Sequence, residues 1–230
     1  MSQDPHAPQV DTRYYQAAAP RSVGERLMIA ARDRIYDDFL RLCRPDPETR
    51  ILDVGVSDVV TDSANLLERK WPHPQRITAV GLGGGAEFQA AFPGVDYRRI
   101  EPNQRLPFDD DAFDVATSNA VIEHVGSPEN QAFFVAELAR VARKVFISAP
   151  NRHFPVEHHT AIPLLHFWRA GFRLGCHVLG KTEWLDPANL ILIDRARLQA
   201  LGTAAAQTGY TGIPLGPFSS NLFLFLERNA

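Results

Sequence analysis

Cysteine is nearly absent from this chain, and so is any surplus of charge. Only Cys43 and Cys176 occur in 230 residues, neither belongs to a CxxC pair, and they stand far apart. A disulfide framework is therefore excluded as the organising device, and a reducing compartment is favoured. The net charge of -3 gives no overall basic footprint, which makes nucleic acid a poor default partner. No apolar run is long and clean enough to span a bilayer. The most apolar stretch, Ala161 to Gly180, is broken by Arg169, Arg173 and three glycines. The N-terminus lacks a charged start followed by an apolar core, so a cytoplasmic setting is expected. No HExxH spacing occurs and no second ligand set is evident, so no metal is expected.

What is present is an alternation of two periodicities. Short apolar runs at Ile51 to Gly55, Arg76 to Val80, Val95 to Ile100, Phe113 to Ser118 and Val145 to Ala149 read as strands. Between them lie segments of helical period. Leu27, Ala31, Ile35 and Phe39 recur every fourth residue, with Met28 and Leu42 widening the stripe, and Ser22 with Glu25 forms a capping box. This predicts a helix from Val23 to Leu42, stopped by Arg44-Pro45-Asp46-Pro47. Asp62 or Ser63 can cap a helix carrying Ala64, Leu66 and Leu67, and Ala86 to Phe92 can form a short one. Ser127-Pro128-Glu129 is a strong helix start, and Arg140, Arg143 and Lys144 place cations at that helix's negative end. Asp194 can cap a helix through Leu201, and Tyr210 to Leu215 with Leu222 to Leu226 supply two last strands. In the final one both alternating faces are apolar, which predicts burial on both sides.

Strands and helices alternating through short connections predict an α/β fold with a parallel sheet covered on both faces, three layers in all. Met1 to Arg21, rich in Pro, Gln and Ala with Tyr14 and Tyr15, reads as an arm, and 22–230 as one domain. Within it, 151–190 follows the fifth strand as a cover segment. Trp71, Trp168 and Trp184 read as packing groups, and Asp109 to Asp111 as a solvated turn.

The segment LPFDDDAFDVATSNAVIEHV, Leu106 to Val125, resembles the central part of class I S-adenosylmethionine-dependent methyltransferases of the type 11 bacterial group. The likeness continues through ELARVARK, VFISAP and NRHFPVEHHTAIPLLHF and covers Arg50 to Phe167. It implies a Rossmann-like, seven-stranded, mostly parallel sheet with an antiparallel last strand, and S-adenosylmethionine across the carboxyl ends of the first four strands. Carried onto this chain, the family pattern puts Asp53 and Gly55 beside the methionine part and Asn119 near the sulfonium, with Ser118 and Ala120 as neighbours. Gly81 and Leu82 fall where the family presents an acid to the ribose and an apolar side chain to the adenine, and here the acid is missing. Glu101 to Asn103, with Glu101 and Asn103 as the polar members, edge the adenine. In DVGVSDV the first glycine is kept, but Ser57 and Val59 replace the other two. Ser57 and Asp58 can offer side-chain hydrogen bonds instead, and Asp58 can stand in for the ribose acid.

The sulfonium already activates the methyl group, so positioning supplies much of the rate and a base is needed only for an acceptor that is hard to deprotonate. His124 is one candidate base, or a packed histidine bonded to backbone. His153, Glu157, His158 and His159 form a cluster on the same sheet edge; His158 or His159 can take the acceptor's proton, and Arg152 can pair with an anionic group. The cluster can equally fasten a loop. The segment at 161–180 reads as a helical cover packed against the sheet, or as a weak membrane-surface or lipid contact. The expected function is methyl transfer to an oxygen or nitrogen of a small molecule. A binding or scaffolding protein without turnover is the alternative. A nicotinamide oxidoreductase is disfavoured, because GxGxxG after the first strand and an acid after the second are both missing.

Overall fold

The structure, a computed structural model, describes residues 23–60, 64–203 and 205–228. The expected arm at 1–21, the Ser22 cap and the caps at Asp62 and Ser63 lie outside the described residues. Seven strands form one sheet: β1 Ile51–Val54, β2 Ile77–Gly81, β3 Asp96–Arg99, β4 Phe113–Asn119, β5 Ala142–Pro150, β6 Gln207–Leu215 and β7 Phe218–Glu227. Their order is β3-β2-β1-β4-β5-β7-β6. The first five pair in parallel, and β7 runs antiparallel to both β5 and β6. The expected α/β class and reversed last strand are both present.

The helices are α1 Val23–Cys43, α2 Leu66–Lys70, α3 Ala86–Ala91, α4 Pro128–Val141, α5 Arg169–Val178 and α6 Arg195–Leu201. The period of two along the strands divides the core between the two faces of the sheet. Leu52, Val54, Ile147, Leu222 and Leu224 pack with Leu138 of α4 and Leu198 of α6. Ile51, Ile77, Phe146, Phe223 and Phe225 face the other way, toward Ile35 and Phe39 of α1, Leu67 of α2 and Phe88 of α3. Every residue of β7 from Ser220 to Leu226 is buried, which is why that strand carries apolar residues on both faces. Two caps form as the sequence predicts: the Ser127 side chain accepts from the Asn130 N–H at 3.1 Å, and Asp194 accepts from the Arg197 N–H at 2.8 Å.

Two expectations are overturned. The segment at 161–180 does not lie on the sheet; α5 packs with Ile162, Trp184 and Leu190 in a small cluster of its own. A polar turn at Gly180-Lys181 returns the chain onto that cluster, so the apolar residues close locally. Trp168 is not a packing group: it is 64% exposed, while Trp71 and Trp184 are buried. Among the described residues no helix is long and apolar enough to cross a membrane. Cys43 and Cys176 are both buried and free. Asp110 and Asp111 are exposed, as expected of a solvated turn, but they pair with Arg140 and Arg228.

Leu224 is fully buried between β5 and β6. Leu224→Ala is expected to lower unfolding stability by about 2–5 kcal/mol in urea titrations, through lost burial and an unfilled cavity; an unchanged midpoint would contradict the two-faced burial of β7.

Candidate functional site

The site starts where β1 ends. Gly55 adopts a φ of +95°, and a Cβ there would stand 2.3 Å from Cγ2 of Val121, so only glycine lets the turn after β1 lie against the turn after β4. The Gly55 and Val56 N–H groups both donate to the Val80 carbonyl of β2, at 2.8 and 3.2 Å. Strands β1, β2 and β4 thereby end side by side, and their carboxyl ends open into a cavity of about 1280 Å³.

All the candidate donor residues reach that cavity. Asp53, Gly55, Ser57, Gly81, Leu82, Glu101, Asn103 and Asn119 line it, and so do His124, His158 and His159. Their surroundings differ. Ser118 does not line it; its hydroxyl is buried and donates to the Val54 carbonyl at 2.7 Å, tying β4 to β1. Ser57 spends its side chain inside the loop, with Oγ exchanging hydrogen bonds with the backbone of Val59. The Asn65 amide bonds the Ser57 N–H and C=O at 2.9 and 2.8 Å. The Asp58 carboxylate, the expected stand-in for the ribose acid, accepts from the N–H groups of Gly85 and Phe88, at 3.1 and 3.2 Å, and so pins the start of α3. Side chains have taken over the rigidity that the absent glycines give up.

Asp53 faces α2 and meets Glu68, which is buried. Burial raises both carboxyls, that of Glu68 further because the Asp53 charge adds to it. Among the described residues no ordinary donor reaches either oxygen of Glu68, and a proton held between the two acids would relieve their repulsion.

A second cluster lies across the cavity, on the turn at Ile122–His124 and on the segment after β5. His124 Nδ1 is 2.7 Å from the Asn189 carbonyl oxygen and therefore carries a hydrogen and donates. Its Nε2 is 3.1 Å from His159 Nε2, and His159 Nδ1 is 2.8 Å from Glu157 Oε1. Glu157 also accepts from the His159 N–H and, at 2.6 Å each, from the N–H and hydroxyl of Thr160. Burial would raise the Glu157 carboxyl, but these donors outweigh it and hold it down at about 2. His159 is raised above its ordinary value, because the bond and charge of Glu157 overcome its burial. Burial, reinforced by the charge of His159, lowers His124 to about 4. The assignment that satisfies every contact is an anionic Glu157, a doubly protonated His159 donating at both nitrogens, and a neutral His124 accepting at Nε2.

The other members of the expected cluster separate from it. His158 packs edge-on against the Phe154 ring and is lowered to about 4, chiefly by burial. His153 is exposed and stacks near Phe167. Arg152 turns away from the cavity, with its guanidinium 3.9 Å from Asp194. Three residues escaped the sequence reading. Asn189 offers only a backbone oxygen, which no motif reveals. Glu68 is one more acid in a short helix. Glu123 is buried and raised to about 7 by that burial, and its oxygens have no hydrogen-bond partner among the described residues. Ligand atoms of Glu123, His124 and His159 lie within 4.8 Å of one another. That donor set can hold a divalent cation as well as shared protons, a gathering the linear spacing does not show.

The family model described as a methyltransferase domain matches residues 79–145, from β2 through the His124 turn into β5. A ubiquinone biosynthesis O-methyltransferase from Aeromonas salmonicida (strain A449) is 29% identical over 110 residues, which are 45% of this chain and 44% of that protein. The aligned part of this chain thus spans less than half of that relative. The structure of magnesium protoporphyrin IX methyltransferase from Synechocystis PCC 6803, solved with bound SAH, superposes with a TM-score of 0.55 at 16% identity, covering 95% of this chain and 92% of that one. A SAM-dependent methyltransferase from Aquifex aeolicus gives 0.52 at 12% identity, covering 94% and 98%. At these identities the likeness is one of fold.

The Glu157–His159 pair makes a pH test possible. The folded pKa of Glu157 lies below its ordinary 4.5, so its stabilisation is complete above that value and fades as pH falls toward about 2. His159 lies above its ordinary 6.5, so its contribution is complete below that value and is lost as pH rises through the folded pKa. Glu157→Gln is expected to lower the His159 pKa in an NMR titration of the imidazoles and to cost about 3–5 kcal/mol near neutrality, as breaking a buried pair does. An unmoved His159 titration would refute the charge assignment.

Proposed function

We propose that this chain is a class I S-adenosylmethionine-dependent methyltransferase, a reading that its matched segment and sheet order support, and that it methylates an oxygen or nitrogen of a small molecule, with His124 and His159 managing the proton the acceptor gives up. The observation that carries this reading is the common cavity: the donor-side residues Asp53, Gly55 and Asn119 and the His124–His159 pair all line it. The residues fit the donor. Gly55 leaves backbone bare at the turn, Asp53 offers a carboxyl to an ammonium, and Leu82, at the end of β2, offers an apolar face to a base. S-adenosylmethionine supplies a methyl group already activated by its sulfonium, so the protein's task is to orient, to exclude water and to accept a proton. Neutral His124, fixed by the Asn189 carbonyl, accepts at Nε2 from the charged His159; when the acceptor hydroxyl or amine reaches the pair, His124 Nε2 takes the acceptor proton as His159 releases its own Nε2 proton to solvent, so the pair keeps a single positive charge. Glu157 keeps His159 oriented and balances its charge.

A second reading, a binding protein without turnover, draws support from the filled loop at Ser57 and Asp58 and the missing acid at Gly81. The two readings separate in one experiment. His124→Gln is expected to reduce transfer of tritium-labelled methyl groups to a panel of hydroxy and amino compounds by about 10²–10⁴-fold while leaving S-adenosylhomocysteine affinity unchanged. Binding with no turnover by the unaltered protein would favour the binding protein, and full activity in the variant would remove His124 from the chemistry. A chelator is expected to leave the rate unchanged; loss on chelation and recovery with a divalent cation would instead make Glu123, His124 and His159 metal ligands.

For localisation and partners, the two free buried thiols support a reducing, cytoplasmic setting, and the charge of -3 supports a small-molecule partner over nucleic acid. The outer side of α5 supports weak contact with an anionic membrane surface: Trp168, Leu174 and Val178 are exposed beside Arg169 and Arg173. Flotation with vesicles containing phosphatidylserine is expected to carry the protein up at low salt, and less of the Leu174→Asp variant; no flotation of the unaltered protein would discard the contact.

A further inference from the structure

Arg32 lies on α1 and lines the cavity, one helical turn from Met28 and one from Tyr36, which line it too. Its guanidinium has neither a hydrogen bond nor an ion pair with any described residue. Part of its surface is accessible, and the residue is among those lining the cavity. This is an unusual state for an arginine so enclosed. A guanidinium withdrawn from water without a counter-charge is costly, and proteins tolerate the arrangement where a ligand completes it.

The contacts made by the carboxylates that line the same cavity are with residues other than Arg32. Asp53 is joined to Glu68, Glu157 to His159 and Thr160, Glu137 to Arg140, and Glu101 to Arg99. Arg34, the other arginine at this cavity, is exposed at its rim. The cavity that Arg32 lines also presents apolar and aromatic side chains, among them Met28, Phe146, Phe154 and Val156. His158 stands there as a neutral imidazole.

The position of Arg32 relative to the two halves of the cavity decides what it serves. Its charge is felt by His158, in the segment after β5. Burial brings Arg32 down to about 10, still charged at neutral pH, with no acid offsetting the shift.

We infer that Arg32 is the anion-binding residue of the acceptor subsite, so that the molecule methylated here carries a carboxylate or similar oxyanion on an apolar body. The inference rests on the methyltransferase reading above and deepens it by naming the acceptor's class. A planar guanidinium matches a carboxylate through two parallel N–H donors, which orients the acceptor as well as holding it. The apolar wall takes the body of the molecule, and His158 can donate to or accept from a polar group beside the anion.

The test is calorimetry on the protein saturated with S-adenosylhomocysteine, using acids paired with their uncharged amides: benzoate with benzamide, cinnamate with cinnamamide, and 3,4-dihydroxybenzoate with its amide. The unaltered protein is expected to bind at least one acid about tenfold or more tighter than its amide, a margin typical of one charge-assisted pair. Arg32→Gln should erase that preference without weakening the amide, Arg32→Lys should keep part of it, and S-adenosylhomocysteine affinity should stay the same in both. Circular dichroism melting of each variant shows that it is folded. Acids binding no better than amides, or a preference that survives in Arg32→Gln, would overturn the inference. So would a loss of S-adenosylhomocysteine affinity in Arg32→Gln, which would assign the guanidinium to the donor's own carboxylate. Failure of the unaltered protein to bind S-adenosylhomocysteine at all would count against the methyltransferase reading instead, and the acid and amide titrations, run without it, would still decide the role of Arg32.

Discussion

The left-handed turn at Gly55 is the constraint on which the rest of the molecule depends. Because no Cβ intervenes, Val121 packs directly on the turn, and the ends of β1 and β4 are held together. That contact fixes Asp53 on one side of the opening and the turn carrying His124 on the other. A side chain at position 55 would both force a disfavoured φ and push Val121 away, separating the two halves of the site at once.

The loop beyond Gly55 shows how rigidity can be rebuilt with other chemistry. Glycines make such a loop close to a ligand by leaving the backbone bare. Here Ser57, Asn65 and Asp58 hold the loop with side-chain hydrogen bonds, and Asp58 ties it to the start of α3. The polar groups of the loop are thereby spent on the protein's own backbone. The histidine side has the opposite economy. Glu157 gathers its donors locally, which fixes a charge on His159 and leaves His124 neutral beside it.

The fold was largely legible in the sequence, because its signals are local and repeated. The alternating faces of β7, the Ser127 and Asp194 caps and the breaker after α1 each act within a few residues, and each appears where the pattern placed it. Asp53, Gly55 and Asn119 were legible from the resemblance, and the structure brings them to one cavity. What escaped depends on which direction a side chain takes after the chain has folded. Asp58 and Arg152 carry suitable charges but find internal partners in α3 and at Asp194. Arg32 shares the helical row of Met28 and Tyr36, and only the packed structure reveals that this row borders a cavity. The apolar residues of 161–180 met one another rather than the sheet, a choice between two burials that composition does not settle.

The claim that joins these parts is that one nucleoside ligand bridges the Gly55 side and the histidine side. A crystal structure of the complex with S-adenosylhomocysteine tests it most directly. In that complex the amino-acid end is expected against Asp53 and Gly55, the adenine over Leu82, and the sulfur directed across the cavity toward His124 and His159. A nucleoside bound outside this cavity, or seated with its sulfur turned away from the histidines, would contradict it.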